Sequence, residues 1–180
     1  IKKPPTYLSK KIIYKKIDIL NEKELIKTIN LINPHYVIHL AARTDLDGQN
    51  LEAYDTNTRG VKNLIKALNS SNGIKRIIFT SSMLVSKIGY QQKHVRDYLP
   101  PNNYGLSKAI GEEIIWESKI NASWCIIRPT SIWGPGFKIP YSKFFQLIFS
   151  GKYFHIGNTN VLKTYGYIGN TCHQIIKLLE

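Results

Sequence analysis

Residues 76–82 read RIIFTSS, a short apolar run that ends in small polar residues. A run of this kind is typical of a strand that is buried on both faces of a parallel sheet. Residues 36–40, YVIHL, have the same character, and apolar residues at helical spacing precede each run. This alternation predicts a doubly wound α/β fold, in which right-handed crossovers place helices on both faces of a parallel sheet.

The alternation continues in both directions from this centre. Residues 11–19 are rich in β-branched side chains and predict a strand, and Asn21 with Glu24 forms a capping-box pattern before a helix that Pro34 ends. Further along the chain, the pattern predicts a helix over about 104–118 and a strand over 124–128. Beyond Pro129 it predicts a short helix at 142–149 and short strands within 152–168.

The composition is that of a globular protein, with 43% hydrophobic and 21% charged residues in 180. The net charge of +13 fits a nucleic acid, an anionic membrane surface or a phosphorylated ligand. The lysines are spread along the chain without a basic stripe, so we interpret the charge as compositional bias and predict no nucleic-acid partner. No apolar stretch approaches the ~20 residues that cross a bilayer, so no membrane partner is expected.

The cysteines and the absence of a signal pattern favour a reducing, cytoplasmic location. Cys125 and Cys172 are far apart and lack metal-ligand spacing, which argues against a disulfide framework and against a structural zinc site. No charged segment leads into an apolar stretch and a small-residue cleavage site, so the sequence shows no secretory signal. We predict no bound metal.

The segment 104–108 reads YGLSK and opens a predicted helix. Because positions i and i+4 share one face of a helix, the Lys108 ammonium can lie beside the Tyr104 phenol. A neighbouring cation and a helix N-terminus both lower the pKa of a phenol from its ordinary ~10, so Tyr104 is a candidate general base. Ser82, which follows a strand, could bind the substrate oxygen. In the alternative interpretation, the YxxxK spacing is accidental and Ser81 and Ser82 only cap a strand end.

Six ordered segments resemble the extended short-chain dehydrogenase/reductases, and among them the NAD-dependent epimerase/dehydratase family that acts on nucleotide sugars. They are HLAA at 39–42, NxxG at 57–60, the serine segment at 79–82 with Val85, YxxxK at 104–108, RP with GPG at 128–136, and KTYGYI at 163–168. The resemblance implies a Rossmann-like NAD-binding domain over 1–135. It also implies the start of a substrate-binding lobe, with a returning strand and helix, over 136–180.

The resemblance also implies roles for individual residues. The catalytic set would be Tyr104 as general base with Ser82, Lys108 and Asn57. The residues expected to contact NAD are Asp18, Ile19, Leu40, Ala41, Ala42, Ser81, Tyr104, Lys108 and Pro129. The nucleotide sugar would contact Ser82, Ser131 and Lys163. Lys163 stands where the family commonly has arginine, which keeps the charge and gives up the bidentate geometry.

The implied reaction is NAD-dependent epimerisation of a nucleotide sugar, first of all at C4, through hydride transfer and a keto-sugar intermediate. Met83 and Leu84 occupy the positions where dehydratases of the family carry an Asp-Glu pair, so no carboxylic acid is placed to protonate a leaving hydroxyl. A dehydratase or reductase of the same family and a non-catalytic dinucleotide-fold binding module are the alternatives. Family members commonly dimerise through the helix that contains Tyr104, so a homodimer is expected.

One departure from the family concerns the cofactor. The sequence contains no glycine-rich phosphate loop of the GxGxxG type. Comparison with the family therefore predicts a fragment that lacks the first strand, helix and strand before Ile1 and part of the substrate lobe after Glu180. The residue that selects NAD over NADP would lie in the missing part, so NADP stays open beside NAD. His39, on an apolar strand, is interpreted as a packed core residue rather than a catalyst.

Overall fold

The computed structural model describes residues 12–137, 141–155, 157 and 164–180. Its helices and strands follow in the order α1 (Glu22–Ile32), β1 (Tyr36–His39), α2 (Arg59–Asn69), β2 (Arg76–Thr80), α3 (Asn103–Glu117), β3 (Ser123–Ile127), β4 (Ser131–Trp133), α4 (Tyr141–Phe149), β5 (Tyr165–Tyr167) and α5 (Ile168–Leu179). Two short 3₁₀ helices precede α2 and follow β2, at Glu52–Asn57 and Met83–Val85.

The strands form two parallel sheets. The larger has the order β1-β2-β3, and Thr80 at the end of β2 lies opposite Ile127 at the end of β3. The smaller joins β4 to β5, with Ser131 opposite Tyr165. Parallel strands linked by helices confirm the predicted α/β class. The proposed boundary between residues 135 and 136 stays a prediction.

Helices lie on both faces of the larger sheet, as the sequence pattern predicts. The core lies between β2 and helices α1, α2 and α3, where Ile77 and Phe79 are buried against the apolar face of α2. On the opposite face α5 lies against β2, and the Arg76 Nε donates a hydrogen bond to the Leu178 carbonyl at 2.9 Å. Successive residues of β2 therefore meet different helices, because strand side chains alternate between faces.

The start of α1 agrees with its capping pattern. The Asn21 side chain accepts a hydrogen bond from the Glu24 amide at 3.2 Å and donates one to the Glu24 carboxylate at 3.2 Å. The helix ends at Ile32, and Asn33 takes the left-handed conformation, with φ 45°. Both ends are therefore where Asn21 and Pro34 predict them.

The strand predicted over residues 11–19 is wrong for the part that the structure describes, because residues 12–18 carry no strand. A strand requires a hydrogen-bonded neighbour, and none of the described strands pairs with this segment. Its apolar residues still contribute to folding, since Ile17 and Ile19 pack against the core. A β-branched composition favours extended backbone, but it does not provide a pairing partner.

The expectation that residues 36–40 are buried on both faces is also wrong. Tyr36 and Ile38 are 51% and 40% exposed, and Leu40 is 64% exposed, whereas His39 is buried. β1 is an edge strand of the larger sheet, and α5 covers the neighbouring β2. Because α5 packs on β2 and not on β1, one face of this apolar strand is left uncovered.

No helix in the described part of the chain is both long and apolar enough to cross a membrane.

Candidate active site

Ser82 and Tyr104 lie together at the carboxyl end of β2, as predicted. The Ser82 hydroxyl accepts a hydrogen bond from the Leu84 amide at 3.1 Å and so caps the short 3₁₀ helix that follows β2. Tyr104 lies in the first turn of α3, where its phenol interacts with the Ser82 hydroxyl. Each of the two residues is 9% exposed. A hydroxyl pair at this place can bind and deprotonate an alcohol.

A glycine allows α3 to approach this serine closely. A side chain at Gly105 would collide with the Leu84 carbonyl oxygen, so no larger residue fits between α3 and the 3₁₀ helix. The amide of Gly105 donates to the Asn102 side chain at 2.8 Å, which caps α3 at its first turn. These local contacts hold the first turn of α3 against the 3₁₀ helix that follows Ser82.

Lys108 lies one helical turn beyond Tyr104 and is 6% exposed. Its Nζ donates a hydrogen bond to the Thr80 carbonyl at 2.6 Å, which ties α3 to the end of β2. Burial lowers the pKa of Lys108 to about 8, and the nearby Glu112 carboxylate acts in the opposite direction. The ammonium is therefore still the major form at neutral pH.

The expected lowering of the Tyr104 pKa is wrong for this structure. Burial raises the pKa of the Tyr104 phenol above its ordinary value, and the contact with the Ser82 hydroxyl only partly offsets this rise. The nearby Tyr54 side chain acts in the same direction as burial. A buried phenol has lost the water that would stabilise its anion.

Asn57 joins the loop after β1 to α3. Its side-chain amide donates to the Arg43 carbonyl and to the Ser107 hydroxyl, both at 2.9 Å, and its side-chain oxygen accepts from the Arg43 amide at 2.9 Å. The residue is 1% exposed, and Ser107 in turn donates to the Tyr104 carbonyl at 2.7 Å. Asn57 therefore supports α3 at the turn that carries Tyr104.

Sequence reasoning missed a buried ion pair beside the site. Glu112 is 1% exposed, and its two carboxylate oxygens accept from the Arg128 Nε at 2.8 Å and from the Arg128 terminal nitrogen at 2.6 Å. The Tyr98 hydroxyl donates to the same carboxylate at 3.0 Å. A local signal for Glu112 is present in the sequence: Tyr104, Lys108 and Glu112 follow one another at intervals of four residues, which places all three on one helix face.

A small cavity of about 10 Å³ lies behind Lys108, roughly the space that one water molecule needs. Three buried atoms at its wall, the His39 Nε2, the Thr80 Oγ1 and the Ser81 Oγ, have no hydrogen-bond partner among the described residues. Burial, and next the charge of Lys108, lower the pKa of His39 to about 4, so this histidine is neutral at pH 7. The His39 ring packs edge-on against the Phe79 ring, which agrees with the prediction that His39 is a core residue.

The other predicted cofactor residues follow the strand ends or precede α1. Leu40 and Ala41 are exposed directly after β1, Ala42 is half-buried beside them, and Pro129 is half-buried after β3. Because the carboxyl ends of neighbouring parallel strands meet at one edge, these residues and Ser81 belong to the same side of the sheet.

Asp18 and Ile19 lie in the turn before α1. The Asp18 carboxylate accepts from the Leu20 amide at 2.9 Å, and the Ile19 carbonyl accepts from the Asn63 side chain of α2 at 3.1 Å. Of the substrate residues, Ser131 begins β4, whereas Lys163 lies outside the described residues. No cluster of metal-ligating side chains occurs in the part of the chain that is described, and both cysteines are free thiols.

The sequence pattern of the NAD dependent epimerase/dehydratase family matches residues 2–179. The chain is 36% identical over 143 residues to the N-acetyl-alpha-D-glucosaminyl-diphospho-ditrans,octacis-undecaprenol 4-epimerase of Escherichia coli O157:H7, covering 74% of this chain and 42% of that protein. It is 30% identical over 174 residues to 3beta-hydroxysteroid-dehydrogenase/decarboxylase isoform 1 of Arabidopsis thaliana, covering 92% of this chain and 39% of that protein. The chain thus spans about two fifths of the length of these relatives.

Solved structures share the fold. The Bordetella bronchiseptica enzyme WbmG, whose crystal structure is a complex with NAD and UDP, superposes with a TM-score of 0.73 over 92% of this chain and 53% of that one. The sequence identity of the pair is 19%, so the superposition establishes the Rossmann-type fold and no more. The shared fold places the carboxyl ends of β1, β2 and β3 at the edge where ligands of such sheets bind.

Proposed function

Because this chain belongs to the NAD dependent epimerase/dehydratase family, we propose that its Ser82, Tyr104 and Lys108 act on a ring hydroxyl of a sugar linked to a diphosphate. In this proposal the hydroxyl is oxidised and then reduced again from the other face, so that the sugar is epimerised, first of all at C4. The observation that carries it is the contact between the Tyr104 phenol and the Ser82 hydroxyl, one helical turn before the buried ammonium of Lys108.

The protein's own part in the reaction is to hold and move one proton. Ser82 binds the oxygen of the substrate hydroxyl, and the Tyr104 oxygen takes its proton when the alcohol becomes a ketone. Burial raises the pKa of Tyr104 in the free protein, so this step needs a compensating positive charge. The proposal assigns that part to the Lys108 ammonium, which lies on the same helix face one turn away. In the reverse direction the keto-sugar has turned over, and Tyr104 returns the proton to the same oxygen while the carbon is reduced from its opposite face.

The residues at the end of β2 suit the nicotinamide-ribose part of NAD. The Lys108 ammonium has three N–H donors, and the Thr80 carbonyl accepts one of them. The buried Ser81 hydroxyl beside it has no partner among the described residues. When bound, NAD supplies the hydride acceptor and donor that the protein side chains lack. The sequence has no glycine-rich loop for the diphosphate of the cofactor, so that part of the site is not assigned to these 180 residues.

The substrate class rests on two relatives together. The relative from Escherichia coli is named for a sugar linked through a diphosphate to undecaprenol, and a second relative, from Vibrio cholerae and 35% identical over 132 residues, is named UDP-glucose 4-epimerase. Both names include a sugar linked to a diphosphate, and we extend that feature to the substrate of this protein. A carboxylic acid for water elimination is absent from the two positions after Ser82, where Met83 and Leu84 stand, which favours an epimerase over a dehydratase.

A homodimer that packs through α3 stays a prediction.

The second candidate is a dehydrogenase or reductase of the same family, which interconverts an alcohol and a ketone without epimerising the carbon. It is a candidate because a hydroxysteroid dehydrogenase is also among the relatives. The two functions differ in their cofactor balance. An epimerase regenerates NAD in each cycle, whereas a dehydrogenase consumes one cofactor for each product. Product analysis with catalytic and with stoichiometric NAD separates them.

The test is Tyr104→Phe in the complete gene product that carries this sequence, assayed by chromatography for epimerised UDP-sugars. We expect turnover to fall by about 100-fold or more, because a positioned general base contributes at least that much. Tyr90→Phe is the matched control, since the Tyr90 hydroxyl bonds to Asp97 at 2.8 Å outside the site, and it should retain activity. Unchanged turnover in Tyr104→Phe would overturn the assignment of the base.

A further inference from the structure

We propose that Glu112 is a positioning residue that holds the buried Lys108 side chain in its protonated form. The catalytic part of this inference rests on the proposed function, in which the Lys108 ammonium supplies the positive charge for Tyr104. The effect on Lys108 itself requires neither NAD nor substrate and can be measured in the free protein.

The geometry of α3 places the two charged residues on one face of the helix. Glu112 follows Lys108 by four residues, so both lie on one helix face, and both line the small cavity that also contains His39. Their exposures are 1% for Glu112 and 6% for Lys108. Little water therefore screens the attraction between the carboxylate and the ammonium.

The Glu112 carboxylate is held in place from its far side. Arg128 binds both of its oxygens, at 2.8 and 2.6 Å, and the Tyr98 hydroxyl adds a third hydrogen bond at 3.0 Å. Arg128 also donates to the Gln92 side chain at 2.9 Å and to the Val95 carbonyl, so the pair is anchored in the loop before α3. A carboxylate with three donors cannot turn away, so Glu112 stays at the wall of the cavity that it shares with Lys108.

No other group around the cavity can replace this charge. From β1 the cavity is faced by His39, which is neutral at pH 7, and from the end of β2 by the uncharged Thr80 and Ser81. Asn57 faces it from the 3₁₀ helix before α2, and it is also uncharged. Among the described residues that line the cavity, Glu112 is the one carboxylate. Burial lowers the pKa of Lys108, and Glu112 acts against that change.

A purely structural role for Glu112 makes different predictions from an electrostatic one. Glu112→Gln keeps the shape of the side chain and removes its charge, whereas Glu112→Asp keeps the charge and disturbs the contacts with Arg128. If Glu112 only joins α3 to Arg128, both variants lose stability and neither moves the titration of Lys108. If the charge of Glu112 stabilises the ammonium, the pKa of Lys108 falls in Glu112→Gln and stays near the wild-type value in Glu112→Asp. Glu113→Gln is the matched control, because Glu113 is the next residue and pairs with the partly exposed Arg96 instead.

The first measurement is the pKa of Lys108 by NMR of its ¹³Cε, assigned with Lys108→Arg, in the ligand-free protein. We expect the midpoint of Glu112→Gln to fall by about one pH unit, the usual effect of one close charge, and that of Glu113→Gln to stay at the wild-type value. Glu112→Asp should titrate close to wild type. An unchanged midpoint in Glu112→Gln would overturn the proposal. A full-unit fall of the midpoint in Glu112→Asp would overturn it too, and this second variant keeps the test possible if Glu112→Gln does not fold.

The second measurement is the pH profile of sugar turnover. In Glu112→Gln the loss of activity on the alkaline side should begin about one pH unit lower than in wild type, with Glu113→Gln unchanged. A wild-type protein without any NAD-dependent turnover would refute the proposed function and leave the NMR result standing. Normal wild-type turnover together with an unmoved profile in Glu112→Gln would refute the role of Glu112 alone.

Discussion

Arg128→Met tests the buried ion pair that supports the catalytic helix. The substitution keeps much of the side-chain volume and removes both hydrogen bonds from Arg128 to Glu112, which leaves the carboxylate with Tyr98 as its remaining partner. Because Glu112 is 1% exposed, water cannot replace the lost donors. Removing one partner of a buried ion pair costs about 3–5 kcal/mol, and we expect a loss in that range.

The assay is urea unfolding followed by circular dichroism, with the slope against urea compared between variants. Arg96→Met is the control, since the Arg96 and Glu113 side chains are 42% and 32% exposed and a pair of this kind contributes less than about 1 kcal/mol. A double variant, Arg128→Met with Glu112→Leu, should recover most of the lost stability, because no buried charge is left unpaired.

Equal costs for Arg128→Met and Arg96→Met would refute this reasoning. So would a double variant that is less stable than Arg128→Met. Either result would mean that the Glu112 carboxylate reaches water in solution.

Three further predictions concern single residues around the site. The pKa of His39 is about 4 in the folded protein and about 6.5 in the unfolded chain. The free energy that the neutral histidine contributes to folding is therefore fully present above about pH 6.5 and is lost as the pH falls toward 4. Between pH 7 and about 4.5, the free energy of unfolding of wild type should fall by about 2 kcal/mol more than that of His39→Gln in urea unfolding. Asn57→Ala removes three hydrogen bonds of a buried side chain and should cost about 2–4 kcal/mol in the same assay, whereas a loss below about 0.5 kcal/mol would contradict the role of Asn57 as a support for α3. Gly105→Ala should cost about 1–3 kcal/mol and lower turnover, because the new methyl group meets the Leu84 carbonyl; an unchanged variant would mean that α3 lies further from Ser82.

Local patterns were sufficient for the elements whose signals lie within a few residues. The ends of α1 follow from Asn21 and Pro34, and the meeting of Ser82 with Tyr104 follows from a strand end and a helix start. These features depend on backbone geometry that short-range spacing determines.

Tertiary contacts decided the features that the sequence did not predict. Residues 12–18 have strand-like composition and lack a pairing partner among the described strands. One face of β1 is uncovered because α5 packs on the neighbouring β2 instead. The Glu112–Arg128 pair joins two elements sixteen residues apart, and no local pattern selects one arginine among many. The direction of the Tyr104 pKa depends on burial, which only the folded chain defines.

The most direct test of the account is whether Tyr104 takes the proton when a sugar hydroxyl is oxidised. In the complete gene product, a UDP-sugar added with NAD should produce the absorbance of reduced nicotinamide in stopped flow, at a rate that falls by about 100-fold or more in Tyr104→Phe and is unchanged in Tyr90→Phe. Reduced nicotinamide that forms at the wild-type rate in Tyr104→Phe would contradict the account, because the proton would then leave through another residue.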